Sequence, residues 1–284
     1  MYMEIIKEKN PELIIEKYSF NTEGQNNDVV IVNDTLVFKF PKYQQGIAKL
    51  EKEIDLLNIL KTCITLDIPN YKYKNFEPLE VGYVFGGYKI IKGTSLKKDI
   101  FCNIANQQNV AKQLATFLKQ LHSIPIEKIN INKMTIADNY SEWRKLFEGI
   151  QQKLFKFMSK DSKDLISRKF NDFFEQDLNS KQTVIHGDFG PSNIIYDSRS
   201  QLISGIIDFN EVSIGDPAID IASLIGPFGY GEDFVKTFES TYPNVQELMK
   251  RAKFYSSTFA LQEALFGIEV GDEKAFEAGI KEYL

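Results

Sequence analysis

Between positions 12 and 42 the apolar residues come in short runs cut by polar breakers. Leu13-Ile14-Ile15, Val29 to Val32 and Thr35 to Phe40 read as strands, with Asn26-Asn27-Asp28 and Asn33-Asp34 as the turns, which predicts a small antiparallel hairpin set. After Pro41 the period changes. Apolar residues at Ile47, Leu50, Ile54, Leu57 and Leu60 recur at helical spacing and predict an amphipathic helix over 44–60. VGYVFGGYKII at 81–91 reads as a further hairpin, and 107–122 as a strong helix closed by Ser123-Ile124-Pro125. Apolar stripes through Trp143, Phe147, Ile150 and Leu154, then through Ile166, Phe170 and Phe173, predict two helices within 139–179. Two β-rich runs follow between Thr183 and Phe209. A helix starts at Pro217 with Asp216 as its N-cap, and two more cover 250–266 and 273–283.

Polar residues planted inside these elements carry the candidate chemistry. Lys39 interrupts Val37-Phe38-Lys39-Phe40, so strand alternation puts it on the face opposite Phe38 and Phe40. Glu53 lies at the margin of the apolar stripe of 44–60, close enough to reach inward, or else to pair with Lys49 one turn back for a few tenths of a kcal/mol. The densest stretch is TVIHGDFGPSNIIYDSRSQLISGIIDF, which sets Asp188, Asn193 and Asp208 behind short turns. A lone Asx residue after a strand is usually a turn former. Three at this spacing suit metal-dependent phosphoryl transfer to an alcohol, in which one carboxylate takes or orients the hydroxyl proton while an amide oxygen and a second carboxylate hold Mg²⁺. Magnesium keeps several waters, so one Asp and one Asn are enough. Between the first strands lies Ser19 to Asn27, with Gly24 as its single glycine. It reads as a phosphate-covering loop or as an ordinary turn.

Composition narrows the class. The chain has 284 residues, 43% hydrophobic and 26% charged, as ordinary globular enzymes do. A net charge of −5 argues against nucleic acid as a partner. No apolar run approaches the about 18 residues of a membrane span, and the N-terminus is too charged for a secretory signal, so a cytoplasmic protein with no membrane partner is expected. Cys63 and Cys102 form no metal or disulfide pattern. Residues 180–284 carry twice as many acidic as basic side chains, which would attract a cationic substrate or simply solvate the surface.

His186-Gly187-Asp188-x-x-x-x-Asn193 followed by Ile207-Asp208-Phe209 closely resembles the catalytic segment of the aminoglycoside phosphotransferases, relatives of the protein kinases. VFKFPKYQQG and the helix after it are especially similar to the 2″-phosphotransferases. The resemblance implies an α+β, bilobal protein-kinase-like fold: a small antiparallel-sheet lobe over 1–91 and a larger, mostly helical lobe over 92–284, with a hinge about 89–94. It implies Asp188 as catalytic base and Asn193 and Asp208 as Mg²⁺ ligands. Lys39, held by Glu53, would bind the α- and β-phosphates. The backbone of Lys89, Ile90 and Ile91 would bind the nucleobase, with Gly24 over the phosphates. A bulky residue at Tyr88 favours guanine, so GTP joins ATP as donor. His186 would brace the catalytic loop, and His122 would pack as a helix C-terminal cation. Asp220 would brace the same loop or lie near the acceptor amines. Asp216, Glu232, Asp233, Glu239 and Glu263 are the carboxylates at hand for a cationic small-molecule acceptor. Asn210 departs from the glycine common after Asp-Phe, at a turn expected to need positive φ. The implied function is transfer of the γ-phosphate of GTP or ATP to a hydroxyl of an aminoglycoside by a monomer or weak dimer. Ala264-Leu265-Phe266 and the 216–220 segment also resemble the macrolide 2′-phosphotransferases, although those usually have His at Asn193. Metabolic alcohol kinases and a nucleotide-binding pseudokinase are the remaining alternatives.

Overall fold

A computed structural model describes residues 1–22, 24, 26–129, 136, 139–175 and 182–284. Its N-terminal part is an antiparallel sheet of β1 (Tyr18–Asn21), β2 (Asn27–Val32), β3 (Leu36–Pro41), β4 (Tyr71–Asn75) and β5 (Phe85–Lys89), in the order β1-β2-β3-β5-β4. The central strand β3 is the one whose alternation was most informative. Phe38 and Phe40 enter a core with Val30, Val32, Phe85, Ile5 and Ile6, while Lys39 points to the opposite face.

Leu13-Ile14-Ile15 does not form the expected strand. The backbone there is satisfied by one side chain instead of a neighbouring strand: Asn33 Oδ1 accepts from the amides of Glu16 and Lys17 at 2.9 and 3.1 Å, and its Nδ2 donates to Ile14 O at 2.8 Å. The edge strand is β1, within the segment expected to be loop, pairing Tyr18 with Val32 through Asn21 with Val29. All four of its residues are exposed, so no apolar alternation announces it. A further element, α1 (Tyr2–Lys9), buries Ile5 and Ile6 against the sheet, and Tyr2 stacks on Phe40 with ring centres 4.3 Å apart.

Helix α2 (Gln44–Leu60) ties the two parts of the molecule together. Its Ile47, Leu50 and Ile54 pack with Val84 under the sheet, while Leu56, Leu57 and Leu60 enter the main core. That core is built around α4 (Gln107–His122), whose Leu114, Phe117, Leu118 and Leu121 are fully buried, and Phe117 stacks on Phe189 beside the candidate loop. Strands β6 (Thr94–Ser95) and the short helix α3 (Lys98–Cys102) lead into this part.

The two stripes of 139–179 form α5 (Asn139–Gly149), extended by one π-helical turn over Ile150–Leu154, and α6 (Lys160–Glu175); residues 176–179 of the expected span lie outside the described residues. Their aromatic faces meet α9 (Val245–Val270), with Phe173 stacked on Phe254 at 3.9 Å and Trp143 on Tyr255 at 4.9 Å. Helix α9 is longer at both ends than the expected 250–266, stopping at Gly271 with φ +77°. Between these helices run β7 (Thr183–Ile185), β8 (Ile194–Asp197), β9 (Leu202–Ile206) and β10 (Ser213–Gly215), then α7 (Ala218–Ile225), α8 (Glu232–Lys236) and finally α10 (Glu273–Ile280). Strand β7 pairs with β10, and β8 pairs with β6 and β9. An antiparallel sheet lobe joined to a helical part is the kinase-like α+β fold that the sequence implies. Among the described residues no helix is long and apolar enough to cross a membrane.

Candidate active site

Asp188 follows β7, Asn193 precedes β8, and Asp208 follows β9, so two short β-pairs set all three within one loop cluster. The cluster turns at Gly187, where φ is +81° and an added Cβ would lie 2.3 Å from Glu211 O. Glycine is required there both by conformation and by contact. The preceding His186 is fully buried. Its Nδ1 accepts from Asp188 N at 3.3 Å, which leaves the ring proton on Nε2 to donate to Ile207 O at 3.1 Å. One imidazole therefore fixes the backbone at both Asp188 and the approach to Asp208.

Beneath this loop sits Asp220 of α7, fully buried. Its Oδ2 accepts from His186 N and its Oδ1 from Gly187 N, both at 2.9 Å. The geometry is that of a brace, not of a group facing an acceptor. His122 adds to it: Nε2 lies 3.0 Å from Asp220 Oδ2, and Nδ1 2.8 Å from the Tyr242 hydroxyl. The sequence reading left His122 as a helix-end cation and missed this partner. A polar residue closing an otherwise apolar helix was the available signal.

Asn193 spends its amide on Asp188, donating from Nδ2 to the Asp188 carbonyl at 2.8 Å and to Oδ2 at 2.9 Å. Its Oδ1 is the atom left over. Burial pushes the Asp188 carboxyl above the ordinary carboxylate value; nearby His186 and the Asn193 hydrogen bond oppose that, and Asp208 and Glu211 reinforce it. Such a carboxylate is a better proton acceptor than a solvated one.

Lys39 reaches across from β3. Its Nζ lies 3.3 Å from Glu53 Oε1 and 3.1 Å from Asp208 Oδ1. Burial alone would lower its pKa, but the Glu53 and Asp208 carboxylates prevail and hold it well above the ordinary lysine value. Glu53 faces this lysine, while Lys49 pairs with Glu211 at 2.7 Å, so the alternative surface pairing does not form. Asp208 adopts φ +65°, and Asn210, at 5% exposure, donates from Nδ2 to Asp208 Oδ1. The left-handed residue is thus the aspartate itself, not Asn210 as expected.

Lys39 and Asp208 close one end of a slot of about 320 Å³. Val29, Val37 and Tyr88 line it from the sheet side and Ile195 and Ile207 from below, a flat apolar space suited to a nucleobase. Of the backbone expected to meet a base, Ile90 N–H is spent on Thr35 O at 2.8 Å and Lys89 lies in the β3–β5 ladder, while Ile90 and Ile91 both line the slot. Tyr88 is 4% exposed and stands edge-on to Tyr71. Gly24 does not line this slot. Its carbonyl accepts from Lys42 Nζ at 2.6 Å in the β1–β2 loop.

On the other side of Asp188 opens a larger cavity of about 660 Å³. The expected acceptor carboxylates are not in its lining. Asp216 is fully buried, held by Arg251 Nε and Nη2 and by the Tyr255 hydroxyl at 2.9 Å, with its Oδ1 capping α7 at Ala218 N. Glu232 pairs with Lys253 at 2.8 Å and Asp233 with Lys236 at 2.7 Å. Glu239 Oε1 accepts from Asn244 N at 2.9 Å, and Glu263 is exposed on α9 away from the cavity. Helix α9 turns its packed face, not its acids, toward α7. The walls are Pro191, Pro227, Phe228 and Phe259, with Lys97, Lys98 and Asp99 at the mouth.

The likeness to known proteins agrees with this geometry. The family described as "Phosphotransferase enzyme family" matches residues 17–255. The chain is 27% identical over 271 residues to viomycin phosphotransferase of Streptomyces vinaceus, covering 92% of this chain and 91% of that protein. The GDP and kanamycin complex of APH(2″)-IIia superposes with a TM-score of 0.90 at 26% identity, over 99% of this chain and 96% of that one. Macrolide 2′-phosphotransferase type I shares the fold at a TM-score of 0.75 and 20% identity, over 99% and 94% of the two chains. With most of its length matched, a slot lined by Lys39 and Asp208 and an open cavity lined by Asp188, the chain belongs to this phosphotransferase family and is a phosphotransferase with a hydroxyl acceptor.

Proposed function

We propose that this protein transfers the γ-phosphate of GTP or ATP to a hydroxyl of an aminoglycoside-type antibiotic. One observation carries the reading: Asp188 lines the open cavity, and Asn193, whose amide holds Asp188, accepts through its backbone carbonyl from Ile207 N at 2.9 Å, next to Asp208 in the nucleotide slot. The relative named for viomycin and the neighbour bound to kanamycin support an antibiotic acceptor. Residues 1–91 form the nucleotide-binding lobe and 92–284 the catalytic and acceptor-binding lobe in this reading.

The donor set fits magnesium. Among the described residues no three His, Cys, Asp or Glu side chains gather into a metal cage, and Asn193 Oδ1 and Asp208 Oδ2 are oxygens without a protein hydrogen bond. Two protein oxygens leave room for waters and phosphate oxygens, as Mg²⁺ prefers. Bound there, the ion would neutralise charge on the triphosphate. Lys39 carries a positive charge toward the phosphates, with Glu53 keeping it aimed. Asp188 orients the acceptor hydroxyl and takes its proton as the oxygen attacks the γ-phosphorus and the bond to the β–γ bridging oxygen breaks. Most of the rate comes from positioning and charge stabilisation.

A second reading rests on the cavity wall. Pro191, Pro227, Phe228 and Phe259 make an apolar surface, and two lysines offset the carboxylates, which suits a macrolide-like acceptor with few positive charges. Release of GDP and ADP, measured with aminoglycosides, macrolides and simple alcohols, decides between them. Stimulation by aminoglycosides supports the first reading, and stimulation by macrolides alone the second. No stimulated release from either nucleotide would end both.

A further inference from the structure

Asn210 occupies a place where kinases commonly have a glycine, and it is buried to 5% exposure with its amide aimed at one atom. Its Nδ2 donates to Asp208 Oδ1, the same oxygen that receives Lys39 Nζ at 3.1 Å. Two donors converge on Oδ1, and Oδ2 receives none from the described residues. Asp208 lines the nucleotide slot with its side chain 40% exposed. A carboxylate is free to turn about its last torsion unless something holds one oxygen. Lys39 can hold it only until phosphates compete for the ammonium. Asn210 has no such competing task, is neutral, and lies two residues from its target.

We infer that Asn210 is a positioning residue: it pins Asp208 Oδ1 so that Oδ2 stays presented to the metal of the metal–nucleotide complex. This rests on the reading of Asp208 as a metal ligand. A glycine at this position supplies no such hold. The chain therefore carries its own device for orienting the ligand at a residue whose backbone, at φ +65°, is already unusual for an aspartate.

The test measures metal binding without turnover. Mn²⁺ affinity in the presence of GDP is followed by electron paramagnetic resonance, and metal-free GDP affinity by calorimetry, for wild type, Asn210→Gly and Asn210→Leu. The leucine keeps the side-chain volume and removes the donor; the glycine is the residue kinases commonly tolerate there. Both variants are expected to bind Mn²⁺ about tenfold more weakly, the worth of one hydrogen bond to a charged group, with metal-free GDP affinity unchanged. Wild-type Mn²⁺ affinity in Asn210→Leu would overturn the inference, since packing would then be the only role. A parallel fall in metal-free GDP affinity would overturn it too. An Asp208→Asn control separates the two levels: unchanged Mn²⁺ affinity there removes the metal assignment itself, while loss there with retention in both Asn210 variants overturns the Asn210 role alone.

Discussion

Asp188 lies where burial raises its pKa, opposed by nearby His186 and by the Asn193 hydrogen bond. A carboxylate held this way favours its protonated form in the folded protein, so the folded state binds the proton more tightly than the unfolded chain. Stability from this group is present below the unfolded pKa and is lost as pH rises through the raised folded value. At neutral pH the charge therefore costs stability, and Asp188→Asn should melt at a higher Tm than wild type, with the difference vanishing in acid. The same variant should lose about 10²–10⁴-fold in kcat while nucleotide affinity is retained. Calorimetry across pH and steady-state kinetics check both halves, and a variant that melts lower yet turns over normally would reverse the assignment. This residue was legible in the sequence because Asp188, Asn193 and Asp208 are set by turns within one short stretch. Lys39 was legible through strand alternation. Asn210 was not, because the sequence does not reveal which residue of the turn takes the positive φ, and the backbone gives that conformation to Asp208.

Two buried carboxylates flank the start of α7, Asp216 just ahead of the helix and Asp220 in its first turn, and each answers to a different neighbour. Asp220 accepts from the amides of His186 and Gly187 and meets His122, a contact 98 residues apart in sequence. Asp216 is clamped by Arg251 and Tyr255 of α9. Removing a carboxylate that two buried amides depend on leaves donors without acceptors, at about 1–3 kcal/mol each. Asp220→Ala should thus destabilise the fold and blunt turnover together, in thermal melts and kinetics. Arg251→Met should cost about 3–5 kcal/mol, because it strands the buried Asp216 charge, and much of that loss should be recovered in the double variant Arg251→Met with Asp216→Asn. Denaturant titration of the four proteins measures the recovery. These element-scale facts bear on why the expected acceptor carboxylates lie outside the cavity lining. Residues 180–284 do carry the expected acidic excess, but which acids face a cavity depends on how the helices pack, and acidic composition does not report that packing. Likewise β1 escaped detection because an exposed edge strand needs no apolar rhythm.

Three contacts cross from the sheet lobe to one short strap of the helical part. Lys39 reaches Asp208 at 3.1 Å, Lys49 reaches Glu211 at 2.7 Å, and Lys52 donates to Val212 O at 2.9 Å. Since Glu211 O also closes on Gly187, the strap touches the loop that bears Asp188, and α2 therefore holds the two halves of the site in register. The three contacts differ in kind. Lys39 is buried and must share its charge with incoming phosphates, whereas the Lys49–Glu211 pair, at 43% and 47% side-chain exposure, keeps its role whether or not a nucleotide is present. An exposed pair of this sort is worth about 0.2–1 kcal/mol, too little to show in a melting curve but enough to shift nucleotide affinity about two- to fivefold. Lys49→Ala should accordingly raise the KM for the nucleotide donor by that factor at low ionic strength, leave Tm within error, and converge on wild type in about 1 M salt, where screening acts over about 3 Å. If Tm fell while the KM for the nucleotide donor stayed put at every salt concentration, the pair would be holding α2 to the fold and not the lobes to each other.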